Sequence, residues 1–112
     1  MKLPVYIVNA FSRESFRGNP AAVCPLSEWL DDATMQRIAA QNNLSETAFI
    51  LPDGKGYQIR WFTPAAEVSL CGHATLASGH VVLDALPDLP LARFLTRQAG
   101  LLTVARDGDG DG

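Results

Sequence analysis

Residues 76–86 are apolar on almost every side when wound at 3.6 residues per turn. A helix with so little polar stripe is stable only when other elements surround it, and this requirement governs how the whole chain can fold. Pro87 sets its end, because a proline there removes a helical hydrogen bond and clashes with the preceding turn. Its start falls near His73, within Cys71-Gly72-His73-Ala74-Thr75. The unpartnered amide groups of a first helical turn can hold developing negative charge, and here they sit beside a thiol and an imidazole.

The remaining residues supply strands to wrap that helix. Residues 2–9 are apolar on both faces, Leu3, Val5 and Ile7 against Tyr6 and Val8, which predicts a central strand covered on both sides. Asp31 and Asp32 are N-cap candidates for an amphipathic helix in which Met35, Ile38 and Ala39 recur at helical spacing until Asn42-Asn43. Residues 47–51 and 57–62 read as a hairpin across Pro52-Asp53-Gly54-Lys55-Gly56, with Tyr57, Ile59 and Trp61 sharing a face. Residues 94–97 and 101–105 complete the strands, with Gly100 as the turn between them. The fold class is α+β. Asp107-Gly108-Asp109-Gly110 is a further turn signal with no returning strand after it, so this end is either a solvated tail or a strand lacking its partner.

With 112 residues the chain is one domain at most, able to bury roughly two thirds of the surface its unfolded form exposes. A hydrophobic fraction of 47% against 19% charged residues sets it apart from disordered segments. Net charge is -3 and the basic residues are scattered singly, which argues against nucleic acid or an anionic membrane and for a small-molecule partner. Pro4 and Asn9 interrupt the first apolar run, and no segment approaches the ~20 apolar residues of a membrane span, so a cytoplasmic location is expected. Cys24 and Cys71 are expected to be reduced thiols.

Asn9-Ala10-Phe11, Gly18-Asn19-Pro20-Ala21, Asn43-Leu44-Ser45-Glu46-Thr47-Ala48-Phe49, Arg60-Trp61-Phe62-Thr63-Pro64 with Glu67, and Cys71-Gly72-His73-Ala74-Thr75 follow one another in an order that resembles the N-terminal half of the phenazine-biosynthesis-like isomerase family. The resemblance covers essentially the whole chain. It implies a diaminopimelate-epimerase-like domain, a curved mixed β-sheet or half-barrel wrapped around a central hydrophobic helix. It also implies a second, similar domain that this sequence does not include, with the site in the cleft between the two and an acidic residue contributed by the other half. Relatives commonly dimerise, so a homodimer or pairing with a second domain is the expected assembly.

By the same resemblance the activity is a cofactor-independent isomerisation or epimerisation that moves a proton between carbons of a small carboxylate-bearing metabolite. Glu46 is the implied acid/base, a role suited to a carboxylate, which can take a proton from one carbon and return it elsewhere. His73 would serve as a second proton carrier or as a donor to a substrate carboxylate. Gly72 would lend its amide, with that of His73, to a developing enolate. Asn19, Ser45, Cys71, Ala74 and Thr75 would line the substrate.

Several residues have plainer readings. His80 lies inside the helical run and reads as a packed or partly exposed histidine. Cys24 reads as a small core residue, and Trp61 as strand packing. Asp31-Asp32 are explained by capping, with no further oxygen ligands at metal-binding spacing, and Gly54 and Gly56 form no phosphate-binding pattern, so neither a metal nor a nucleotide cofactor is expected. Two other functions stay in view. One is a catalytically inactive ligand-binding or interaction fragment, and the other is a racemase whose base is a Cys71 thiolate favoured by the helix start.

Overall fold

A computed structural model describes residues 3–9, 20–44, 46–54 and 56–105. In chain order the elements are β1 (Tyr6–Asn9), β2 (Pro20–Pro25), α1 (Asp32–Asn42), β3 (Glu46–Asp53), β4 (Gly56–Phe62), β5 (Glu67–Val68), α2 (Gly72–Ala85), β6 (Leu91–Leu95) and β7 (Leu101–Ala105). The strands form one mixed sheet in the order β1-β2-β3-β4-β6-β7, with β5 paired to β4. The β2/β3 and β4/β6 pairs are parallel, whereas β1/β2, β3/β4, β4/β5 and β6/β7 are antiparallel. Parallel neighbours need a crossover, and each helix supplies one.

Period-two alternation sorts the sheet's side chains between the two helices. Ala21, Val23, Ala48, Ile50, Ile59, Trp61, Ala92 and Phe94 pack with Ala74, Ala77, Val82 and Leu83 of α2. Cys24, Phe49 and Phe62 point the other way, onto Met35 and Ala39 of α1. Phe49 and Phe62 meet edge to face at 5.5 Å, a geometry that favours the ring quadrupoles. The apolar helix thus sits inside a half-barrel, in contact with β1, β2, β3, β6 and β7. Gly79 lets β7 approach α2, since a Cβ there would lie 2.5 Å from Val104 Cγ1.

The structure corrects the sequence reading in four places. Among the described residues the first strand is at the sheet edge rather than central: β1 pairs with β2 alone, and Ile7 is 58% exposed. Apolar residues on both faces signal an available surface, and nothing among the described residues covers its outer face. The hairpin connection is shorter than expected, because Pro52 and Asp53 pair with Tyr57 and Gly56, leaving Gly54, at φ +61°, to turn the chain. Strand β6 begins and ends earlier, with Thr96 holding the turn through its amide and hydroxyl, which both donate to the Gly100 carbonyl at 2.9 and 2.8 Å. Helix α2 keeps one stripe uncovered among the described residues, Leu76, His80 and Asp84, with Leu76 58% exposed.

Candidate functional site

Glu46 is brought to its position by the end of α1. Asn43 takes the left-handed conformation, φ 52° and ψ 37°, and its amide donates to the Ala39 carbonyl at 3.1 Å, which stops the helix. Three residues later the chain enters β3 at Glu46, beside Ala21 of the parallel strand β2. Asn42 Nδ2 donates to Thr47 Oγ1 at 3.1 Å, tying the helix end to the residue that follows the carboxylate. Glu46 is half-buried.

The start of α2 is fixed from below. Trp61 Nε1 donates to Thr75 Oγ1 at 3.1 Å, and that hydroxyl donates to the Cys71 carbonyl at 2.8 Å. The Thr75 amide makes the first intrahelical bond, to the same carbonyl, at 3.0 Å. Thr75 is therefore engaged through both its amide and its hydroxyl, and it shapes the turn rather than facing outward. Above it, the Gly72, His73 and Ala74 amides belong to the first turn, where a helix has no carbonyl of its own to offer. Among the described residues a Cβ on Gly72 would meet nothing within 4 Å. His73 is half-buried and Ala74 is buried.

Cys71 is where the two elements meet. Its thiol makes no full capping hydrogen bond, yet it lies close enough to the Ala74 and His73 amides for both to favour the thiolate. Burial outweighs them and pushes the thiol pKa up, and the charge and hydrogen bonding of the Glu46 carboxylate push it the same way. This reverses the expectation of an activated thiolate: the helix start does act on Cys71, but desolvation and the neighbouring carboxylate win. The arrangement places a carboxylate, a protonated thiol and the first-turn amides of α2 side by side. Asn19 and Ser45 lie outside the described residues, as does the Asp107-Gly108-Asp109-Gly110 turn.

A groove of about 480 Å³ opens along β4 between β5 and the turn after β6, and a second, of about 200 Å³, lies between Trp29, β4 and the end of β6. Neither is lined by Glu46, Cys71, Gly72 or His73. Their walls include Arg60, a residue of the Arg60–Pro64 block to which the sequence reading assigned no role. Opposite charges seven residues apart across a Thr-Pro turn were the available signal, but β5 is only two residues long and has no pattern of its own. Among the described residues no cluster of His, Cys, Asp and Glu could hold a metal ion, and no helix is long and apolar enough to cross a membrane. Cys24 is buried in the α1 face of the sheet, and burial pushes its thiol up to about 11.

Comparison with known proteins gives one answer throughout. The family model described as phenazine biosynthesis-like protein matches residues 8–112. An uncharacterized isomerase of Pseudomonas aeruginosa is 54% identical over 110 residues, covering 97% of this chain and 42% of the relative. A crystal structure of a phenazine biosynthesis PhzC/PhzF protein from Clostridium difficile superimposes with a TM-score of 0.85 at 44% identity, over 96% of this chain and 41% of that one. A PhzF-family protein from Enterococcus faecalis gives 0.83 at 50% identity, with the same coverage. The chain spans about two fifths of the length of the relatives it matches.

Proposed function

Because the chain belongs to the phenazine biosynthesis-like family, we propose that it supplies one wall of an isomerase site that moves a proton between carbons of a small carboxylate-bearing metabolite. The observation that carries this reading is the meeting of the Glu46 carboxylate with the first turn of α2 at Cys71. In the first step a C–H bond beside a carbonyl or carboxyl group breaks, its proton passes to a Glu46 oxygen, and the electron pair moves toward the substrate oxygen. The Gly72 and His73 amides face that oxygen as charge develops, with no reorganisation needed at the moment of reaction. In the second step the proton returns to a different carbon, or to the opposite face of the same one, from Glu46 or from His73. No cofactor enters this scheme.

The remaining part of a full-length relative would close the cleft and contribute a further acidic residue, with Asn19 and Ser45 completing the substrate contacts. In the full-length protein, Glu46→Gln is expected to lower kcat by about 10²- to 10⁴-fold, the usual worth of a positioned acid/base. Cys71→Ser should retain most of the activity. The reverse pattern would reject the carboxylate mechanism in favour of a cysteine-dependent racemase. The exposed apolar residues Ile7 and Leu76 favour a second reading, an interaction fragment that docks onto another domain or a copy of itself. Full activity loss in Glu46→Gln with unchanged folding would set that reading aside.

A further inference from the structure

We propose that Arg60 and Glu67 are positioning residues: their two-pronged ion pair, anchored to α1, holds the Cys71–His73 turn in register with Glu46. This rests on the reading of that turn as the proton-transfer site.

Strand β5 is two residues long, yet it is the launch point for the three-residue run that enters α2. Two ladder positions, Trp61 with Val68 and Phe62 with Glu67, are a weak hold for a segment that must place catalytic groups. Arg60 supplies a stronger one. Its Nε donates to Glu67 Oε2 at 2.9 Å and its Nη2 to Glu67 Oε1 at 2.8 Å, the paired geometry that a guanidinium and a carboxylate fix best. The Arg60 side chain is 9% exposed and lies 5.5 Å from the ring centres of both Trp29 and Phe62. Arg97 approaches the same carboxylate at 3.6 Å.

The other end of the device is α1. Arg60 Nη1 reaches Asp32 Oδ1 at 3.0 Å, in the first turn of that helix. One turn on, Gln36 Nε2 donates to the carbonyls of Thr63 and Pro64 at 2.9 and 3.2 Å, pinning the turn that joins β4 to β5. That turn is closed internally by the Thr63 amide and hydroxyl, both donating to the Ala66 carbonyl. The last turn of α1 delivers Glu46 through Asn42 and Asn43. One rigid helix therefore carries the carboxylate at its C-terminal end and, through Arg60 and Gln36, the segment leading to the opposing turn at its N-terminal end. Misplacement by about 1 Å at a distance from the chemistry can cost 10²-fold in rate.

The test uses Cys71 as a reporter that needs no substrate. Glu46 is the charged group acting on its thiol, alongside burial and the Ala74 and His73 amides. Iodoacetamide alkylation of the Cys71 peptide, followed across pH by mass spectrometry, gives the titration midpoint of the thiol. Glu46→Gln is expected to lower that midpoint in the otherwise native protein. In Arg60→Met and Glu67→Gln backgrounds, the shift caused by Glu46→Gln is expected to collapse toward zero. An equal shift with and without the clamp overturns the proposal, and so does the absence of a shift in the otherwise native protein. If Arg60→Met does not fold, Arg60→Lys keeps the charge, loses the fork and carries the same comparison. Coupling that depends on the clamp in a protein with no isomerase activity would refute the catalytic reading alone.

Discussion

Replacing Thr75 with valine tests how the start of α2 is held. The side chains are nearly the same shape, so the change removes a hydroxyl without opening a large space. It removes the acceptor for Trp61 Nε1, which lies 3.1 Å away on a residue only 2% exposed. It also removes the donor to the Cys71 carbonyl, which keeps the Thr75 amide as a partner. The main cost is the orphaned indole N–H, and leaving one buried donor unsatisfied costs about 1–3 kcal/mol. For a domain of this size each kcal/mol lowers Tm by about 4–8 °C. Thermal unfolding followed by circular dichroism, repeated in a Trp61→Phe background, measures it. With no indole N–H to orphan, Thr75→Val should cost much less there, giving a coupling of at least about 0.5 kcal/mol. Equal costs in the two backgrounds would refute the assignment of this network as the anchor of the turn.

Other outcomes follow from the same geometry. Gly79→Ala would drive a methyl group into Val104 and should destabilise by about 1–3 kcal/mol, with Val104→Ala relieving part of the loss in chemical denaturation. The Arg60 hydrogen bonds hold the Glu67 carboxyl below its ordinary value, so its contribution is fully present above pH 4.5 and is lost as pH falls further, through its folded-state value. Acid titration of stability should therefore be shallower in Glu67→Gln than in the native protein. Cys24, buried and pushed up to about 11, should resist iodoacetamide at neutral pH until the protein unfolds, while half-buried Cys71 reacts slowly in the folded state.

Local chemistry made much of the fold legible. The apolar run and Pro87 located α2 to within a residue or two, Asn42-Asn43 marked the end of α1, and alternation through Ile59 and Trp61 assigned the inner face of β4. The sequence was silent where the answer depends on distant partners. Tyr6, Ile7 and Val8 are apolar enough for a central strand, and only the pairing order shows that β1 is an edge. The direction of the Cys71 shift could not be read from its helix position, because burial by the surrounding fold, with the Glu46 carboxylate of β3 added to it, outweighs the helix amides. Arg60 and Glu67 stood in view as two charges near a turn, yet their register across β4 and β5 is what makes them a pair. The role proposed for Glu46 comes from family resemblance. The structure sets its carboxyl group near Cys71 at the start of α2.

Solvent deuterium incorporation tests the central claim most directly. The full-length protein is incubated in D₂O with candidate carboxylate-bearing substrates, and the labelled carbon is located by nuclear magnetic resonance. The account expects deuterium at the isomerised carbon with the native protein and none above background with Glu46→Gln. Incorporation at the native rate in Glu46→Gln would contradict it.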